Sequence, residues 1–132
     1  GMRQDWRMRF IRPLGGIVPT IPKPSGHKDK TAMEQGNPSY PVYVTHAMAE
    51  AAELVQMMQT GLPQISVPVL LIQSHRDPVI ESNASTLISE QLKTHDKETL
   101  WLDNSGHVIT FGPEREIVFQ AAADFIQRVA GQ

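Results

Sequence analysis

The run Val67-Pro68-Val69-Leu70-Leu71-Ile72-Gln73-Ser74 constrains this chain most. Its apolar residues follow one another without the polar alternation of a half-exposed strand. A strand of that kind hides both faces, as strands do in a parallel sheet covered by helices. Pro68 stands near the beginning, where a missing N–H is tolerated. A parallel neighbour needs a crossover, and the sequence supplies one. Residues 82–93 predict a helix with Ala84, Leu87, Ile88 and Leu92 on one side. Residues 99–103 (Thr-Leu-Trp-Leu-Asp) then predict a second short strand. Strand, helix, strand in this order implies a right-handed crossover with parallel strands.

The flanks are helical or irregular. Residues 113–130 predict a long closing helix. Pro113 suits its first turn, Glu114 and Glu116 suit the positive end of its dipole, and Gly131 suits its C-cap. Val118, Ala121, Ala122, Phe125 and Val129 make its buried stripe. Residues 46–59 predict another helix, with Ala47, Ala51, Leu54, Val55 and Met58 in one apolar stripe, Thr45 as N-cap, and Gly61 with Pro63 as the stop. Pro13, Pro19, Pro22, Pro24, Pro38 and Pro41 forbid a long helix over 13–44, and the polar piece 25–37 reads as a loop. Residues 2–12 mix four arginines with apolar residues. Trp6 and Phe10 fall on one helical face, which predicts a short helix packed on the domain rather than a membrane or targeting segment.

Composition narrows the function classes. The 132 residues suffice for one compact domain. The formal net charge is −2 and the basic residues past the N-terminal stretch are scattered, which argues against nucleic-acid binding. There is no cysteine, so disulfides, thiolate zinc sites and cysteine nucleophiles are excluded. That fits a reducing compartment, and a cytoplasmic location is expected. No apolar run is long enough to span a bilayer, and no signal-peptide h-region is visible. Gly1 ahead of Met2 reads as the remnant of a cleaved tag.

Two residues could carry chemistry. Asp77 lies just past the strand 67–74, and His107 follows the strand 99–103 within Asn104-Ser105-Gly106-His107. Alone, Asp77 before Pro78 is an ordinary turn residue and His107 an ordinary loop histidine. Together they differ, because neighbouring parallel strands end at one edge, where open sheets bind ligands. A carboxylate beside an imidazole orients the ring and stabilises its charged form, making the histidine a general base near neutral pH. His75, Asp77 and His107 fall short of a metal-ligand set, so neither metal nor other cofactor is expected. His75-Arg76-Asp77 is similar to a kinase catalytic loop, but no Gly-rich loop accompanies it.

Val67–Ile80, the crossover helix and Trp101–Phe111 resemble the last two strands of α/β-hydrolases, most closely bacterial carboxylesterases and monoacylglycerol lipases. In that family an Asp follows the penultimate strand and a Ser-Gly-His closes the last, so the resemblance gives Asp77 and His107 the acid and base of a serine triad. It implies the C-terminal portion of an α/β-hydrolase fold over 61–132. Residues 2–60 would be a helical, loop-rich cap, with Trp6, Phe10, Met48 and Met58 as candidate linings of an acyl pocket. The family's G-x-S-x-G nucleophile motif does not occur in this sequence. The expectation is therefore a partial serine hydrolase, inactive alone, whose missing half lies upstream of Met2 and whose substrate, once completed, is a small ester or monoacylglycerol. The alternative is a non-catalytic remnant or interaction module. Either way a two-stranded parallel sheet leaves the strand 67–74 with an open edge, which predicts a homo-oligomer or docking onto the missing half.

Overall fold

In the computed structural model of this chain, residues 18–22 and 42–131 are described. The element order is β1 (Thr20–Pro22), β2 (Val42–Val44), α1 (Thr45–Gly61), a 3-10 turn (Leu62–Gln64), β3 (Val69–Ser74), α2 (Ala84–Gln91), β4 (Lys97–Leu102), a second 3-10 turn (Ile109–Phe111) and α3 (Arg115–Ala130). The basic stretch 2–12, the polar loop 25–37, Trp6 and Phe10 lie outside the described residues.

The expected strand–helix–strand–helix order is present. β3 and β4 pair in parallel, in a register that runs from Val69 against Lys97 to Ser74 against Leu102. β4 begins earlier than expected, because Lys97 and Glu98 pair with Val69 and Leu70, and it ends before Asp103. The expectation that β3 is buried on both faces needs correction. Val69 to Ile72 are only half-buried and Val67 is exposed, whereas the polar Gln73 and Ser74 are buried. Among the described residues β3 has one strand neighbour, β4, so its apolar start has too few elements against it to be covered. Among the described residues the buried apolar side chains are Leu62, Ala84, Leu92, Leu102 and Val118, and both α2 and α3 pack on β3.

Gln73 remains inside because both ends of its amide are paired. Its Oε1 accepts the Ser85 N–H at 2.7 Å and its Nε2 donates to the Glu81 carbonyl at 2.7 Å. A buried amide needs such partners, since an unpaired one costs its lost hydration. The first bond also caps the start of α2, a task that Asn83 at the N-cap position leaves undone.

Residues in the Pro-rich region form something that patterning missed. β1 and β2 pair antiparallel, Thr20 against Val44 and Pro22 against Val42. Thr45 is not the N-cap of α1, as expected, but its first residue. It is buried, and its hydroxyl donates to the Val18 carbonyl at 2.6 Å while its N–H donates to that of Pro19 at 3.1 Å. The strand carbonyls, rather than the helix N–H groups, take this side chain. The apolar stripe on α1 is largely uncovered: Ala47, Ala51, Leu54 and Met58 are exposed and Val55 is half-buried. On α3, Val118 is buried, Ala121, Ala122, Phe125 and Val129 are half-buried, and Gly131 stands at the C-cap as expected. Arg128 fastens α3 to the start of β4, with two bonds to Asp96 (2.9 and 2.7 Å) and one contact to Glu98 (2.9 Å), while stacking over Phe125.

Candidate active site

The site begins where β3 and β4 stop. Ser74 is level with Leu102, and the His75 N–H adds one further bond to the Leu102 carbonyl at 2.9 Å. Both strands run the same way and finish at the same height, so the segments that follow them leave from one edge.

Asp77 lies in the first segment and is buried. Pro78 has no N–H to offer, and the Asp77 Oδ1 accepts the next two, Val79 at 2.7 Å and Ile80 at 2.9 Å. That fixes the carboxyl plane. The second oxygen, Oδ2, faces His107 Nδ1 at 2.9 Å. Burial by itself would push the Asp77 carboxyl up. The His107 hydrogen bond, the N–H groups of Ile80 and Val79, and the charge of His107 outweigh it and hold the carboxyl below its ordinary value. An ionised carboxylate accepts, so Nδ1 carries a proton toward Asp77, and in the neutral ring the lone pair is left on Nε2. The His107 side chain is 42 % exposed against 8 % for Asp77, so the imidazole is open to solvent and the carboxylate is not.

The histidine segment has its own support. Glu114, at the N-cap position of α3, accepts the N–H of Asp103 at 3.1 Å and of Asn104 at 2.9 Å, and the Ser105 hydroxyl at 2.8 Å. Burial would raise the Glu114 carboxyl, but the Ser105 hydroxyl and the backbone N–H groups prevail and lower it. Ser74 joins the two segments: its hydroxyl donates to the Ser105 carbonyl and accepts the Arg76 N–H at 3.1 Å. Sequence reasoning singled out neither Ser74 nor Glu114 as part of the site. These bonds join residues nine and thirty-one positions apart, and no local spacing signals them.

His75 stacks on Trp101, with centroids 4.6 Å apart and planes within 6°, and its Nε2 is 4.0 Å from Asp103. Among the described residues no three His, Asp or Glu side chains converge as metal ligands, and no helix is long and apolar enough to cross a membrane.

The family model described as serine aminopeptidase, S33, matches residues 37–114. A carboxylesterase of Bacillus subtilis (strain 168) is 26 % identical, covering 93 % of this chain and 58 % of its own length. A thermostable monoacylglycerol lipase of Bacillus sp. (strain H-257) is 25 % identical, covering 66 % of this chain and 35 % of its own. The chain thus spans between about a third and three-fifths of the curated relatives it matches. A solved structure described with the metagenome-derived lipolytic enzymes LipS and LipT superposes with a TM-score of 0.79 at 24 % identity, covering 95 % of this chain and 50 % of that one. The monoacylglycerol lipase of Paleococcus ferrophilus superposes with a TM-score of 0.70 at 18 % identity, covering 98 % and 53 %. At these identities the likeness establishes the fold, which is part of an α/β-hydrolase.

Proposed function

Because the chain belongs to the serine aminopeptidase, S33, family, we propose that it supplies the acid and histidine of a serine ester hydrolase, with the nucleophile on a segment outside this sequence. The observation that carries this reading is the 2.9 Å bond between the buried Asp77 carboxylate and the exposed His107 imidazole. The serine hydroxyl attacks the ester carbonyl while His107 Nε2 takes its proton. The tetrahedral intermediate collapses, and His107 returns the proton to the departing alcohol. Water then repeats the cycle on the acyl-enzyme. Asp77 stays ionised throughout and stabilises the imidazolium. The names of the Bacillus relatives support a carboxylic ester or a monoacylglycerol as substrate. In this reading the chain is one domain, with 2–60 as a cap over the acyl chain and 61–132 as the body. The exposed Leu54, Met57 and Met58 of α1 fit a surface that meets apolar substrate. The absence of cysteine favours a cytoplasmic setting.

The test is a chimera. Residues 37–130 of this chain replace the corresponding part of the Bacillus subtilis carboxylesterase, and hydrolysis of a p-nitrophenyl ester is followed. Turnover that is abolished by His107→Ala supports the reading. A folded chimera whose turnover ignores His107→Ala would sink it.

A second reading rests on β3, whose other edge has no strand partner among the described residues. In it the chain is an interaction module that self-associates by pairing that edge. Sedimentation as a monomer at every concentration would exclude it.

A further inference from the structure

His107 sits on a segment with no helix or strand of its own, between the end of β4 and the turn at Ile109. Its ring has a partner in Asp77, but its aim depends on the backbone that carries it. That backbone is held by Ser74, through the Ser105 carbonyl, and at three points by Glu114. The Glu114 carboxylate takes the N–H of Asp103, the N–H of Asn104 and the hydroxyl of Ser105, three successive residues that end two short of His107. A carboxylate at the head of a helix ordinarily serves its own first turn. Glu114 makes no side-chain bond there and is turned entirely to the loop.

The Ser105 it grips is almost fully buried. Gly112 packs against it so closely that an added Cβ would stand 2.7 Å from the Ser105 Oγ and 2.9 Å from its Cβ. From Ser105 the line of bonds continues through Ser74 to the N–H of Arg76, the neighbour of Asp77. Glu114 thus anchors a connected path that reaches the acid segment at one end and the histidine segment at the other.

We propose that Glu114 is a positioning residue for His107, setting through the Asp103–Ser105 backbone where the imidazole stands against Asp77. This rests on the acid–histidine reading above. The physical reason to need such a residue is that misplacement by about 1 Å can cost a catalytic group on the order of 100-fold in rate.

The experiment reads His107 directly in the chain as it is, through the imidazole nitrogen shifts of the 15N-labelled protein. These give the ratio of the Nδ1–H to the Nε2–H tautomer, which the bond to Asp77 shifts toward Nδ1–H. Wild type is expected to favour Nδ1–H, and Asp77→Asn to reverse the ratio. Glu114→Ala is expected to lower it about tenfold, as the loss of charge-assisted bonds implies. Glu114→Gln, which keeps one accepting oxygen and serves if the alanine variant does not fold, is expected to lower it less. Arg128→Ala loosens α3 elsewhere and is expected to leave it unchanged. If both Glu114 variants keep the wild-type ratio, or Arg128→Ala lowers it equally, Glu114 has no positioning role. If wild type shows no bias and Asp77→Asn changes nothing, the pair itself is absent and the inference falls with it. A biased ratio that answers to Asp77 but not to Glu114 overturns this inference alone.

Discussion

His107 Nδ1 and Asp77 Oδ2 stand 2.9 Å apart although thirty positions separate them in the chain. The other Asp77 oxygen is already committed to the N–H groups of Val79 and Ile80. The two oxygens therefore have different tasks, and the difference can be exploited.

In Asp77→Asn the amide oxygen stays with the two N–H groups, and the NH2 is turned toward His107. That forces Nδ1 to accept and moves the proton to Nε2, the nitrogen that in the proposed triad would receive the serine proton. In the chimera, kcat is expected to fall on the order of 10,000-fold with KM little changed. A fall below about tenfold would mean that Asp77 does not orient the base.

The same carboxylate gives a stability signature. Its folded value lies below its ordinary one, so its contribution is fully present above the unfolded value, about pH 4. It is lost as pH falls through the lower, folded value. Urea unfolding of wild type and Asp77→Asn is expected to differ by a constant gap near pH 5 and above its acid limb, with the gap closing at lower pH. A gap that widens on acidification would contradict the sign.

Gln73→Leu tests the buried amide between β3 and α2. The leucine leaves the Ser85 N–H without its acceptor and takes one of two donors from the Glu81 carbonyl, which keeps the Ala84 N–H. A loss of about 1–3 kcal/mol in unfolding free energy is expected. Faster hydrogen exchange at the Ser85 amide should accompany it, and an unchanged exchange rate would show that the cap is dispensable.

What patterning could and could not reveal follows from the range of each interaction. β3, α2, β4 and α3 were legible because apolar spacing is a local property, and Asp77 and His107 were legible because each directly follows a strand. Thr45 was misread since the rule for caps looks a few residues ahead, whereas Val18 and Pro19 lie far behind. β1 and β2 are three residues each, too short for alternation to register. The stripe on α1 was real as a pattern, but a pattern does not say what covers it, and Leu54 remains 64 % exposed. Glu114 was seen as a helix-dipole residue; its hold on Asp103, Asn104 and Ser105 exists only once the chain has folded back.

The grip of Gln73 on Glu81 and Ser85 has a consequence for how this edge of the sheet can vary. It draws together the two feet of the segment that runs from Ser74 to Ala84, so that segment is a ring with a tied neck. Asp77 rides on the ring close to one foot. The far rim can change length or character without pulling on the neck, and the carboxylate stays in place. A protein built this way can alter what it presents to a passing molecule while the bond between Asp77 and His107 stays put.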